Sequence, residues 1–282
     1  MRTVEKACAK LNLGLDTPYR HKDGKIEWNM IMTSIELSDY VEIVTEKGNG
    51  ISVHCNRVFL PQDHRNLAYQ AAFLLKKKFG IQQKVDIHIR KNIPVAAGMG
   101  GGSSDAAAVI RGLNRLWDLH MTDQEMATFG LQLDSDVPYC VYSQTAMVTG
   151  KGDNIELMPK LPKMYFVIVK PKVSVSTPEI LNKIDYDKLE HVNVNELAAA
   201  VETQDYDQIV SHMGNVLEPL SSKHHSEIKK IKEKFEKYGA DSAQMSGTGP
   251  TVFGICRTES QAKHIFNSIR GFCSEVYIVR PV

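Results

Sequence analysis

The 282-residue sequence has only five cysteines, Cys8, Cys55, Cys140, Cys256 and Cys273, and they form neither a CxxC pair nor a metal-ligand spacing. Their odd number and wide spacing remove the case for a disulfide scaffold. They suit reduced, mostly buried thiols in a cytosolic protein. Neither sign of charge is in excess: Lys and Arg number 34, Asp and Glu 33. That argues against a protein built around nucleic acid or an acidic membrane, although a local basic site for phosphates stays open. Apolar runs are short, Met164–Val169 among the longest, and none approaches the length that spans a bilayer. The N-terminal Met1–Lys6 stretch lacks an apolar core of signal-peptide length, so the expected location is the cytoplasm. Internal repeats, low-complexity segments and long linkers are also missing.

What is present is the composition of an ordinary globular chain, 43% hydrophobic and 24% charged. The length allows one large domain or two ordinary ones. Strand patterning covers Val4–Leu15, Tyr40–Thr45, Val85–Lys91, Thr145–Thr149, Tyr165–Val169, Val252–Cys256 and Val276–Val279. Between the first two lies Pro18–Lys25, rich in turn formers, which reads as a loop or hairpin. Helical spacing covers Arg65–Phe79, Ser103–Trp117, Asp123–Leu133, Pro178–Ile184, Asn195–Val201, Tyr206–Val216, Ser226–Tyr238 and Glu259–Arg270. Gly80 and Gly239 stand where helices should stop, and Thr258 with Gln261 spells a capping box. The elements alternate without a regular β-α-β beat. The expected class is therefore α+β, with two parts meeting near residues 150–160.

The most informative stretch is Pro94-Val95-Ala96-Ala97-Gly98-Met99-Gly100-Gly101-Gly102-Ser103-Ser104, followed by Asp105 and three alanines. Ordering so many glycines is entropically expensive. In return, such a loop can turn successive N–H groups toward one point and form an anion nest. Ser103, Ser104 and Asp105 cap a helix that the alanines favour, and its free N–H groups suit a phosphate. The order is strand, glycine loop, helix. No Gly-Lys-Ser/Thr follows, so this is not Walker A. Ser103 stands where a dinucleotide fold needs its third glycine. The bland alternative is a flexible turn before a helix.

Three further pieces are weaker alone. Lys10 and Asn12 share one face of the first strand, and a lysine there usually snorkels to the surface. Asp134-Ser135-Asp136-Val137-Pro138 reads as a turn held by aspartates. Gly247-Thr248-Gly249-Pro250 reads as a hairpin turn. His54, His64, His88, His224 and His225 lack partners at a useful spacing and read as surface or satisfied residues.

Taken together, these segments resemble the galactokinase, homoserine kinase, mevalonate kinase and phosphomevalonate kinase (GHMP) superfamily. The resemblance runs nearly end to end, through Ala9–Leu13, Asn66–Tyr69, the glycine loop, Ser135–Pro138 and Met245–Thr251. Within the superfamily it is nearest the 4-diphosphocytidyl-2-C-methyl-D-erythritol kinases of the non-mevalonate isoprenoid pathway. It implies a two-domain α+β kinase with an N-terminal domain at 1–157, like domain 2 of ribosomal protein S5, and a ferredoxin-like C-terminal domain at 158–282. It implies ATP bound by Pro94–Ser104 and Mg2+ held in part by Ser104. Asp136 would act as the catalytic carboxylate beside Lys10, and Asn12, Gly247 and Thr248 would bind substrate. The partner would be a small-molecule acceptor alcohol, with no nucleic acid and no membrane, in a monomer or homodimer.

The chain departs from the family pattern in one region. Asp-Gly-Tyr-His-Glu becomes Asp23-Gly24-Lys25-Ile26-Glu27, and Leu181 replaces a frequent aromatic. In the family these positions hold the cytosine, and each lost base-stacking contact is worth roughly 1–3 kcal/mol. Asp134 replaces a common glycine, and Ser143-Gln144 replaces Gly-Gly. Two other readings therefore stay open: a kinase of a different small alcohol, for which Lys25 would suit an anionic acceptor, and a non-catalytic ATP-binding regulator.

Overall fold

Strand β1 (Arg2–Asp16) matches the expected Val4–Leu15 to within two residues at each end, whereas β2 (Trp28–Glu46) is far longer than the expected Tyr40–Thr45. From Ala7 onward β1 is buried on both faces, and so is Met30–Ile35 of β2. A strand covered on both sides has no reason to alternate, which hid the first half of β2. This computed structural model describes residues 1–282. It divides into two units, each assembled from several stretches. One holds Met1–Ala9, Leu37–Ile93 and Gly100–Ser143; the other holds Lys10–Glu36, Pro94–Met99 and Gln144–Val282.

In the first unit, β3 (Ile51–Cys55) runs parallel to β4 (Lys84–Arg90), which pairs antiparallel with Tyr40–Glu46 of β2. Helix α1 (Leu67–Phe79) connects β3 to β4, a β-α-β crossover that the sequence did not disclose. The Asn66 side chain accepts from the Ala68 N–H, and Gly80 ends the helix in the left-handed region. Helix α1 packs on α2 (Gly101–Leu116); α3 (Asp123–Gly130) and α4 (Val137–Tyr142) complete the layer. Helix α2 begins at Gly101, two residues before the expected Ser103, because Gly100 adopts the left-handed conformation and caps it.

In the second unit, β5 (Ala146–Gly150) pairs antiparallel with Trp28–Met32 of β2 and with β6 (Asn154–Leu157). A separate antiparallel sheet holds β7 (Tyr165–Lys170), β9 (Ser242–Met245), β10 (Val252–Cys256) and β11 (Glu275–Val279) in the order β11-β7-β10-β9. Numbered within that sheet the order is 4-1-3-2, the ferredoxin-like arrangement. Phe166 and Phe253 meet edge to face at 5.8 Å on one face of it, and Phe235 is fully buried against Gly254 of β10. Helices α5 (Thr177–Asn182), α6 (Val194–Glu202), α7 (Tyr206–His212), α8 (Glu218–His224), α9 (Ser226–Lys237) and α10 (Glu259–Arg270) fill the rest. Helix α9 buries Ile228, Ile231 and Phe235, as its spacing requires.

Two local expectations need correction. The helix expected over Tyr206–Val216 stops at His212, because Gly214–Asn215 forms a short strand, β8, parallel to Gly14–Leu15. The Thr258–Gln261 box is half made. Thr258 accepts from the Gln261 N–H at 3.2 Å, but Gln261 Oε1 accepts from the Arg257 N–H at 3.0 Å rather than from Thr258. All five cysteines are free thiols, with Cys8, Cys140 and Cys256 buried. His54 and His88 stack at 4.7 Å across β3 and β4. No helix is long and apolar enough to cross a membrane.

Candidate active site

The glycine loop turns back on itself through positive φ at Ala96 (51°), Gly98 (70°) and Gly100 (66°). At Gly98 the backbone is crowded as well as left-handed. A Cβ there would lie 2.6 Å from the Ser246 carbonyl oxygen and 2.8 Å from that of Gly249, so only glycine fits. The Ser246 hydroxyl donates to the Gly98 carbonyl at 3.1 Å, and the Lys10 N–H donates to the Met99 carbonyl at 3.1 Å. The two glycine turns and the first strand thus form one assembly. The N–H groups of the first turn of α2 have no intrahelical acceptors and are the natural donors to a phosphate.

Lys10 and Asn12 share a face of β1 as the alternation required, but neither snorkels: Lys10 is 5% exposed and Asn12 is fully buried. The Lys10 ammonium donates to Asn12 Oδ1 at 2.8 Å, and Asn12 Nδ2 donates to Met30 Sδ at 3.3 Å. A Cβ on Gly247 would sit 3.4 Å from Lys10 Nζ and 3.7 Å from Asn12 Oδ1. Hence Lys10, Asn12, Gly98, Met99 and Gly247 come together, although 237 positions separate the first from the last (247 − 10).

The turn at Gly247–Pro250 is the hairpin between β9 and β10, so its plain structural reading holds. The side chains that hold it were invisible in the sequence. Asn215 Nδ2 donates to the Met245 and Gly247 carbonyls, and Ser221 Oγ donates to the Thr248 carbonyl at 3.0 Å. Thr248 and Thr177 hydroxyls meet at 2.8 Å. Gln244 Nε2 donates to the carbonyls of Asn12, Leu13 and Gly214. Asn and Gln carry no sequence signal for such work, because their partners are backbone atoms distant in the chain.

In the first unit, the Ser103 hydroxyl donates to Asp134 Oδ1 at 2.9 Å, and the same oxygen accepts from the Asp136 N–H at 3.0 Å. Asp134, where glycine is common, therefore fixes both the start of α2 and the half-buried Asp136 at the head of α4. Ser143, replacing another glycine, takes the left-handed conformation (φ 49°) and donates to the Cys140 carbonyl at 2.8 Å. The Ser104 hydroxyl is fully buried and donates to the Cys8 carbonyl at 2.8 Å.

The first unit also holds a buried ion cluster. Lys91 Nζ pairs with Asp39 Oδ2 and, at 2.7 Å, with Asp105 Oδ2. Burial pushes the Asp105 carboxyl up to about 8; the Lys91 ammonium pulls it down, and the Asp39 charge adds to the rise. Burial alone would lower Lys91, but the two carboxylates outweigh it and hold its pKa up. Asp105 Oδ1 is buried without a hydrogen-bond partner.

The hairpin that departs from the family pattern is closed by the Arg20–Ile26 bridge. Lys25 is exposed at its tip, and Ile26 turns inward, 8% exposed. Arg20 donates to the Leu181 carbonyl at 2.8 Å, and His21 meets Glu27 at 2.6 Å. Magnesium fits only as an ion carried by a nucleotide. No cluster of three His, Cys, Asp or Glu is placed to hold a metal, whereas the Ser104 hydroxyl spends its one proton on Cys8 and keeps its lone pairs.

Comparison with known proteins is decisive for the family. The model of the GHMP kinases N terminal domain matches residues 66–144, and that of the GHMP kinases C terminal matches residues 197–275. The chain belongs to the GHMP kinase family. Among its relatives, a protein of Levilactobacillus brevis named 4-diphosphocytidyl-2-C-methyl-D-erythritol kinase is 58% identical over 283 residues, covering 100% of both chains. One of the same name from Pediococcus pentosaceus is 58% identical over 281 residues, covering 99% of each. The crystal structure of a 4-(cytidine 5'-diphospho)-2C-methyl-D-erythritol kinase superposes on this GHMP kinase with TM-score 0.82 at 26% identity, covering 100% of this chain and 99% of that one. A homoserine kinase from Cytophaga hutchinsonii shares the fold at TM-score 0.78 and 20% identity, over 98% of this chain and 95% of its own.

Proposed function

We propose that this GHMP kinase transfers the γ-phosphoryl group of ATP to the 2-hydroxyl of 4-diphosphocytidyl-2-C-methyl-D-erythritol, a step of the non-mevalonate isoprenoid pathway. The observation that carries the reading is the 58% identity, end to end, with kinases of that name. The buried Lys10–Asn12 pair against the Gly98 and Gly247 turns supports it.

In this reading the Pro94–Ser104 loop holds the ATP phosphates with its free N–H groups, and the dipole of α2 adds to their charge complementarity. The acceptor hydroxyl attacks the γ-phosphorus. A new O–P bond forms as the bond from the γ-phosphorus to the β,γ-bridging oxygen breaks, and ADP leaves. Asp136 takes the hydroxyl proton. Lys10 stabilises the developing negative charge, oriented by Asn12; Asn12, Gly247 and Thr248 contact the acceptor. Ser104 would be the protein's oxygen ligand to Mg2+, which neutralises phosphate charge when bound. Residues 1–157 and 158–282 are read as the two domains, each containing one family-model match. The enzyme would work in the cytoplasm as a monomer or homodimer.

One observation favours a second reading, a different phosphorylated or otherwise anionic alcohol: the hairpin tip presents the Lys25 cation where the family pattern has an aromatic. Release of ADP from Mg-ATP, with and without 4-diphosphocytidyl-2-C-methyl-D-erythritol, separates the two. Acceptor-dependent ADP that disappears in Asp136→Asn is the expected result. Absence of stimulation with ATP binding intact would sink the first reading and leave the second.

A further inference from the structure

The stretch that leads into the glycine loop is tied down more thoroughly than a connection needs to be. Asn56 Oδ1 accepts from the Lys91 N–H at 2.8 Å, and Asn56 Nδ2 donates to the Lys91 carbonyl at 3.3 Å. Asp39 Oδ1 accepts from the N–H groups of Asn92 at 2.5 Å and Ile93 at 2.9 Å. Asn92 Nδ2 donates to the Ser38 carbonyl at 2.7 Å. Three consecutive residues, 91–93, thereby have their backbone N–H groups fixed by side chains of β2 and of the turn after β3.

The other end of the loop is tied to the same point. Asp105, in the first two turns of α2, accepts from Lys91 Nζ at 2.7 Å, while Asp39 accepts from that same ammonium. Gly101 closes the arrangement: a Cβ there would lie 3.2 Å from Lys91 Nζ and 3.2 Å from Ile93 Cγ2. Lys91 is 5% exposed, Asp39 fully buried and Asp105 4% exposed. A buried ion pair seldom adds net stability over apolar packing of the same volume; geometric specificity is the better-attested return. Here the geometry specified is the separation of the two stems, 91–93 and 101–105, between which the phosphate loop is strung.

We propose that Asp39, Lys91 and Asp105 are positioning residues for the phosphate loop, a three-residue clamp that sets nucleotide affinity without touching the nucleotide. The inference rests on Pro94–Ser104 being the phosphate-binding loop. Its physical basis is preorganisation. Loop N–H groups already aimed at one point lose little entropy when a phosphate arrives, and a displacement of an ångström forfeits much of the interaction. The clamp acts on nucleotide binding, so it should separate KM for ATP from kcat at saturating ATP.

The test uses the full chain with Asp105→Leu, Asp105→Asn and Gly101→Ala. Tyr206→Phe serves as a control, because it removes the hydrogen bond to Asp241 in the other unit. Calorimetry reads the Mg-ATP dissociation constant, steady-state kinetics reads KM and kcat, and amide hydrogen exchange reads Gly98–Gly102 without ligand. Asp105→Leu is expected to raise KM for ATP and the dissociation constant by about 10- to 100-fold. Its kcat should stay within about twofold of the native value, and loop exchange should quicken. Asp105→Asn, which keeps an oxygen for Lys91, should recover most of the affinity; Gly101→Ala should weaken it by displacing Lys91. Unchanged loop exchange and unchanged ATP affinity in folded Asp105→Leu, or in Gly101→Ala should the leucine variant not fold, would overturn the clamp while leaving the phosphate loop intact. An affinity loss no larger than that of Tyr206→Phe at equal thermal stability would overturn it too. If the native protein binds no Mg-ATP, the phosphate-loop reading itself falls, and the clamp with it.

Discussion

The side-chain amide of Asn215 donates to the carbonyl of Gly247 at 2.8 Å, and so makes a two-residue strand the buttress of a glycine turn 32 positions away (247 − 215). The same nitrogen donates to the Met245 carbonyl at 2.8 Å, and the side-chain oxygen accepts from the Leu217 N–H at 3.0 Å. With Asn215 only 8% exposed, truncation leaves buried carbonyls without donors. Asn215→Ala should lose about 2–4 kcal/mol of unfolding free energy, measurable by urea titration. A loss under about 0.5 kcal/mol, the ordinary range for a surface change, would show the turn holding itself.

Gly98→Ala tests the first turn from the opposite side. The methyl must displace the Ser246 and Gly249 carbonyl oxygens and adopt φ near +70°. Backbone strain of this kind costs about 1–3 kcal/mol. The variant should fold less stably and bind Mg-ATP at least about tenfold more weakly, since 1.4 kcal/mol is one decade in affinity. Native-like ATP binding by calorimetry would mean that the loop tolerates a side chain there and that its shape is not what holds phosphate.

Asp136→Asn and Lys10→Met address the chemistry. The amide keeps the size of the carboxyl but cannot take a proton. Acceptor-dependent kcat should fall about 10²- to 10⁴-fold, with ATP affinity within about twofold. Removing the Lys10 charge should lower kcat by about 10²- to 10³-fold, the usual range for one preorganised electrostatic contact. Single-turnover measurements with the cytidine substrate read both. Substantial turnover in Asp136→Asn would reassign the aspartate to positioning alone.

Much of this arrangement was legible before the fold was known, and the limits have physical causes. Helices α1, α9 and α10 follow their amphipathic spacing closely, because each lays one apolar face on a sheet or a neighbouring helix. The first half of β2 escaped because it is buried on both faces, and α4 escaped because a six-residue helix carries little periodicity. The glycine loop announced itself through composition. Lys10 looked like a surface lysine, and only the fold shows it buried against Asn12. The clamp of Asp39, Lys91 and Asp105 was beyond reach, since a lone aspartate in β2 and a lysine at a strand end resemble any solvated pair.

Thiol chemistry supplies a prediction with a definite sign in pH. Burial pushes the Cys256 thiol up to about 12, with the Asp241 charge adding to the shift. Burial also raises the half-buried Cys55 and Cys273; the Arg57 N–H and then the Lys91 charge partly offset it at Cys55, where the Asp105 and Asp39 charges add to the rise, and Lys234 and Lys172 partly offset it at Cys273. The thiolate is the reactive form, so at pH 8 a thiol reagent should label only Cys55 and Cys273 in the folded protein, and slowly. All five should react in denaturant. The folded state holds the Cys256 proton more tightly than the unfolded chain, whose thiol has an ordinary value of 9.0. This contribution to stability is therefore complete below pH 9 and is lost as pH rises toward about 12. Cys256→Ala should flatten the decline in unfolding free energy between about pH 9 and 11, and it should leave the slope between pH 6 and 8 unchanged. Rapid labelling of Cys256 at pH 8 in the native protein would show that β10 opens far more readily than its burial allows.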